Sequence, residues 1–195
     1  MHKLIAALAL ACGLCFATTA AAVDFGANDD TGKYAADAGS AFFAQMAAAG
    51  LKQNVITVRW TPGSSEISER DVLERAVTAA AAAGVRPVFA VYPYPPSAVG
   101  RRGGGARAFA AWLEGVARAF PQVSTYIVGN EPNLNTFWRP QGDGRGRIDS
   151  GASFGPYLAA GYDALKAVSS ELKVLGVGAS PRGDRAPGRT GKASP

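Results

Sequence analysis

Asn130-Glu131-Pro132 follows directly on an apolar run, and Asn133, Asn135, Trp138 and Gln141 come soon after it. A carboxylate at the end of a buried strand is partly stripped of water, which suits it to give and take protons. Asn130 beside it can hydrogen-bond a hydroxyl, and Pro132 stiffens the exit. Glu131 can instead cap the next element or face solvent. Arg59 closes an earlier apolar run in the same way and is followed by Trp60. A partly buried cation there needs an anionic partner, unless it simply reaches solvent. Tyr92 and Tyr94 close the run after that. Flat rings around a polar cleft (Trp60, Tyr92, Tyr94, Trp138) suit the apolar faces of sugars, and the amides of Asn133, Asn135 and Gln141 suit hydroxyls. Each aromatic taken singly is equally consistent with loop packing.

Composition narrows the chemistry. The chain has 195 residues, 2 cysteines and 1 histidine. Residues 1–22 have the pattern of a secretory leader: His2 and Lys3, an apolar run over residues 4–16, then Ala20, Ala21 and Ala22 before cleavage. The run is too short to span a bilayer, and Cys12 and Cys15 fit a lipoprotein signal poorly. The expected product is therefore secreted, extracellular or periplasmic, with no stable membrane insertion after cleavage. Both cysteines and His2 lie in that leader. A chain without it has no disulfide, no Ser-His-Asp or Cys-His mechanism and no zinc ligands. No metal and no cofactor is expected, and the chemistry falls to carboxylates, amides, tyrosines and arginines. The net charge of +5 is no sign of nucleic acid. Arg182, Arg185, Arg189 and Lys192 face only Asp184 in a Pro/Gly-rich tail, and no stripe alternates aromatics with cations. That tail, residues 182–195, is expected to be disordered.

The candidate residues need a frame. Apolar runs near Val23, Val55, Phe89, Ile127 and Leu175 are each of strand length and rich in β-branched residues. Alanine-rich segments separate them. A helix is predicted over residues 34–49, stopped by Gly50. A second opens at a capping box, Ser68-Glu69-Arg70-Asp71, and ends at Gly84. A third covers residues 106–120, before Pro121. A fourth opens around Ser153, with Pro156 in its first turn, and runs through Tyr157 and Leu165. The stripes Phe42, Phe43, Met46; Val72, Leu73, Ala76, Val77; and Phe109, Trp112, Val116 mark the buried faces. Alternating strands and helices imply parallel strands with right-handed crossovers, either an open doubly wound sheet or a (β/α)8 barrel. Links into strands are short, whereas links out of them are long and chemically varied. Both folds place sites at those carboxyl ends. The glycine-rich stretch at residues 100–105 ends a loop instead of opening a helix after a strand, so it is no nucleotide fingerprint.

The residues "VGNEPN" after an apolar strand, with Arg59 closing strand two, resemble the clan of (β/α)8 retaining glycoside hydrolases that includes cellulases and β-mannanases. The resemblance covers about residues 23–181. It implies a partial (β/α)8 TIM barrel of about five βα units, the amino-terminal portion of the whole. It implies that Glu131 is the general acid/base, that Asn130 binds the 2-hydroxyl near the scissile bond, and that Arg59 supports the nucleophile. A β-linked glycan is the implied substrate. The clan's nucleophile ends strand seven, and only five strands are counted here. A retaining site needs two carboxylates ~5–5.5 Å apart. Asp29, Asp30, Glu66, Asp143, Asp149 and Asp184 are the remaining acids at the expected site face, and none occupies that place. A full barrel takes ~250 residues. Alternatives are a secreted carbohydrate-binding protein without catalysis and an inactive truncated product. Open sheet edges at strands one and five imply marginal stability or self-association.

Overall fold

A computed structural model describes residues 23–96, 99, 105–142, 147, 149–176 and 178–182. The leader, most of the glycine-rich loop, Asp143, Asp184 and the tail from residue 183 lie outside the described residues. The strands β1 (Gly26–Asn28), β2 (Gln53–Trp60), β3 (Arg86–Pro93), β4 (Thr125–Val128) and β5 (Lys173–Leu175) form one sheet in sequence order. Every neighbouring pair is parallel. The helices α1 (Thr31–Tyr34), α2 (Ser40–Ala48), α3 (Arg70–Ala82), α4 (Ala106–Ala119) and α5 (Ser150–Val168) fill the crossovers. A doubly wound sheet reverses its strand order at a switch point. Here the order never reverses, so successive right-handed crossovers put the helices on one face, as in part of a (β/α)8 barrel.

The pleat sorts the residues. On β2, Asn54, Ile56, Val58 and Trp60 are buried, while Gln53, Val55, Thr57 and Arg59 are half-buried. The first set lies under the helices and the second on the face without them. On β4, Tyr126 and Val128 are buried and Thr125 and Ile127 only partly so. β3 is central and is buried on both faces from Pro87 to Pro93. Phe89 meets Phe120 and Tyr126 edge-on, at centroid separations of 5.2 and 6.0 Å. Each such fully buried side chain contributes about 1.5–3 kcal/mol.

Several elements differ from the sequence expectation. β1 starts later than the apolar run near Val23, whose Val23 and Phe25 are exposed. The single helix expected over residues 34–49 is two helices. Asp37 breaks it by accepting from the backbone N–H groups of Gly39 at 3.0 Å and Ala41 at 2.9 Å, which caps α2 from outside. Ala38 and Gly39 take left-handed φ of 60° and 86° to make the corner. The capping box at Ser68 does not form. Glu69 is itself left-handed, at φ 59°, and its carboxylate is drawn away to Lys33. α5 begins at Ser150, so Pro156 lies in its second turn. Ala152 and Pro156 are both exposed there, which leaves the unmatched carbonyl of residue 152 to solvent. The helix stops at Gly50 and Gly84 agree with the sequence reading, at φ 80° and 72°.

Candidate active site at the carboxyl ends of the strands

Backbone hydrogen bonding runs past the named strands and sets the levels of the candidate residues. Arg59 pairs with Tyr92, and Val91 pairs with Val128. Gly129 is therefore level with Tyr92 and Arg59, and its N–H donates to the Val91 carbonyl at 2.8 Å. Tyr94 is held the same way, donating to the Trp60 carbonyl at 2.7 Å. Strands in a sheet are ~4.8 Å apart, so β2 and β4 stand roughly 10 Å apart across the intervening β3.

At Gly129 the chain turns. Its φ is 90°, and a Cβ there would lie 2.6 Å from the Phe154 ring, so only glycine fits. Asn130 then bridges to Gly178 beyond β5. Glu131 follows at φ 40°, an unusual conformation for a side-chain-bearing residue. Its N–H donates to the Gly178 carbonyl at 3.0 Å, and its own carbonyl accepts from Leu134 at 2.8 Å. The peptide groups of Glu131 are thus tied down on both sides. Its side chain is half-buried, and no ion pair among the described residues engages the carboxylate.

Arg59 finds no carboxylate partner among the described residues. Its Nε donates a long hydrogen bond, 3.5 Å, to the Tyr92 hydroxyl, and its guanidinium lies 5.0 Å from the centroid of the Tyr94 ring. The Tyr92 hydroxyl raises the Arg59 pKa despite burial, and the charges of Tyr34 and Glu69 add to the effect. Tyr92 is buried and meets Phe137 edge-on at 5.8 Å.

Two of the expected sugar-binding rings belong to the core instead. Trp60 is 1% exposed, lies against Phe109 and Trp112, and donates its indole N–H to the Ser64 carbonyl. The pleat explains it: the residue after Arg59 must face the helices. Trp138 is also 1% exposed, packed on Phe154 and Tyr157, with its indole N–H donated to Ser153 Oγ at 2.8 Å. Asn133 is buried as well. Its amide donates to the Ser180 carbonyl and accepts from the Ser180 N–H, at 2.9 and 2.8 Å, which locks the loop after β4 to the segment after β5. Gln141 donates to the carbonyls of Pro132 and Trp138. These amides shape the loop from inside. Asn135 is half-buried, with its backbone carbonyl accepting from Arg139.

A group absent from the sequence reading is fastened to β2 at Thr57, two residues before Arg59. Lys33 has a fully buried side chain whose ammonium donates to Glu69 at 2.8 Å, to the Thr57 carbonyl at 2.9 Å and to the Tyr34 hydroxyl at 3.1 Å. The Tyr34 hydroxyl also lies 3.3 Å from the Glu69 carboxylate. Burial raises the Glu69 pKa, but the hydrogen bond and charge of Lys33, the Tyr34 hydroxyl and the charge of Arg59 outweigh it and hold the carboxyl below its ordinary value. Residue spacing carries no signal for this cluster, because it joins a helix of four residues to a loop 36 positions away.

The other acids are occupied or distant. Asp30 accepts from both the N–H and the hydroxyl of Thr57. Asp29 accepts from the Thr31 N–H at 2.7 Å. Both follow β1, three strand spacings or roughly 14 Å from β4. Glu66 lies in the loop after β2, where its carbonyl receives the Trp112 indole on the helix side. Asp149 precedes α5. The described residues hold no cluster of three His, Cys, Asp or Glu suited to a metal. Clefts open between α2 and α3, at the foot of α4 and α5, and beside β5. The candidate site at the strand ends is defined by its groups.

No family model and no curated protein matches the chain. Solved structures do. An exo-β-1,4-mannosidase from Opitutaceae bacterium strain TAV5 aligns with a TM-score of 0.60 at 18% identity, over 79% of this chain and 31% of its own. A broad-specificity endoglucanase of glycoside hydrolase family 5 from Clostridium longisporum gives 0.59 at 15% identity, over 79% and 48%. A family 39 glycoside hydrolase from Bacteroides cellulosilyticus gives 0.53 at 17% identity, over 71% and 29%. The five parallel strands and their helices have the fold of part of a (β/α)8 barrel, as in these glycoside hydrolases. The chain spans between 29% and 48% of the length of these three structures.

Proposed function

We propose that Glu131 is the general acid/base of a retaining glycosidase site, that Asn130 binds a sugar hydroxyl beside it, and that the substrate is a β-linked oligo- or polysaccharide. One observation carries the reading: an Asn-Glu pair lies directly beyond the fourth strand of this fold, on a turn that only glycine can make, near an arginine ending the second strand. In such a site the Glu131 carboxyl protonates the glycosidic oxygen as the bond to the leaving sugar breaks, and its carboxylate later takes a proton from the attacking water. No acid of the chain stands in the place of the strand-seven nucleophile that Arg59 would support, so turnover requires a second carboxylate from Asp184, another loop or a second copy of the chain. Export through the leader at residues 1–22 and self-association through the open sheet edges belong to the same proposal.

The test is hydrolysis of aryl β-glycosides, soluble β-glucan, mannan and xylan by the purified protein and its Glu131→Gln variant. The expected result is turnover that falls about 100-fold or more in the variant. Turnover that survives the substitution assigns the proton transfer elsewhere. A second reading, a carbohydrate-binding protein without catalysis, is favoured by the lack of a second carboxylate next to β4 among the described residues. It predicts glycan binding with no turnover by either protein.

A further inference from the structure

The tryptophans that the sequence offers for stacking are buried, yet Tyr94, which it also offers, and Tyr34, which it does not, stand open at the strand ends. Tyr34 is 52% exposed and Tyr94 is 46% exposed. The other large apolar side chains of comparable exposure, Val23, Phe25, Tyr162 and Leu175, lie elsewhere, on the foot of the sheet, on α5 and on β5.

Both rings are fixed, by different means. Tyr94 is anchored through its N–H to the Trp60 carbonyl, and its ring rests against the Arg59 guanidinium. Tyr34 is anchored through its hydroxyl, which meets the Lys33 ammonium and the Glu69 carboxylate. Lys33 is in turn fastened to the backbone of β2 at Thr57, two residues before Arg59. Exposed aromatic side chains normally gain little by being held still. Here a fully buried lysine, whose desolvation is costly, is used to do it. Two flat, preordered, water-facing rings, one following β1 and one following β3 with Arg59 on β2 between those strands, make a surface that is apolar on its faces and hydrogen-bonding at its edges. That is the pattern of a pyranose ring, apolar on its axial faces and hydroxylated around its rim. Preordering reduces the entropy lost when a ligand binds.

We propose that Tyr34 and Tyr94, following the strands on either side of β2, form the sugar-binding surface that sets which glycan lies across the site, with Lys33 and Glu69 as the positioning pair for Tyr34. This rests on the carbohydrate reading above, so its test separates binding from turnover. Binding of soluble β-glucan, mannan and xylan is measured by affinity electrophoresis and calorimetry in the full chain carrying Glu131→Gln. Tyr34→Ala and Tyr94→Ala are then added singly, with Tyr34→Phe as the variant that keeps the ring. The expected result is binding of at least one glycan, weakened about 10-fold or more by each alanine and less than about threefold by Tyr34→Phe. Circular dichroism checks the fold of each variant. Tyr34→Leu and Tyr94→Leu, which keep bulk but remove the flat ring, replace any alanine variant that unfolds. Binding that both ring losses leave within about twofold overturns the surface and leaves the assignment of Glu131 to the hydrolysis assay. No binding of any of the glycans by the parent overturns the carbohydrate reading, and this inference with it.

Discussion

Glu69 shows how much one residue can do outside its expected part. It was expected to help open α3 and instead adopts φ 59° with its carboxylate on Lys33. Its folded-state pKa is held below the ordinary glutamate value of 4.5. A carboxyl of this kind adds stability that is fully present above the unfolded value and is lost as pH falls through the folded one. Glu69→Gln is therefore expected to destabilise the protein at pH 7 by about 1–2 kcal/mol, with the half-exposed carboxylate discounted for screening. The gap to the parent should close as pH drops below the ordinary value. Urea unfolding at pH 7 and at pH 3 measures it, and a pH-independent difference would show that charge is not the cause.

At the scale of the element, the strand-four exit depends on one contact between elements. Gly129 turns the chain at φ 90° against the Phe154 ring of α5, while Asn133 clamps the following loop to Ser180. Gly129→Ala must strain the backbone and push on Phe154. A loss of about 1–3 kcal/mol is expected, together with misplacement of Asn130 and Glu131. Thermal unfolding reads the first effect, and glycan hydrolysis or binding reads the second. A variant with unchanged melting temperature would mean that the turn tolerates a side chain. The "VGNEPN" stretch was legible as a strand followed by chemistry. That its glycine answers to an aromatic ring far along the chain was not, because the contact needs α5 folded across β4.

At the scale of the whole molecule, the sheet presents two free sides. Among the described residues β1 pairs only with β2, and β5 only with β4. The face without helices carries Val55, Ile127 and Leu175, each at least partly exposed. Unpaired edges and an uncovered apolar face favour association with other strands. Sedimentation velocity over a range of concentrations is expected to show self-association of the isolated chain, or unfolding without a sharp transition. A monomer that unfolds sharply and reversibly would contradict this.

The sequence by itself determined the alternation of strands and helices, the core stripes and the position of Asn130 and Glu131 just beyond strand four. Those features follow from local periodicity and from chain order, which a linear string contains. Only the tertiary structure decided that Trp60 and Trp138 are core while Tyr34 and Tyr94 face water, that Asn133 holds a loop, and that Lys33 and Glu69 meet. In a parallel sheet with helices on one face, one step along a strand reverses the direction of a side chain. Residue type alone therefore cannot say whether an aromatic ring beside the site meets ligand or core.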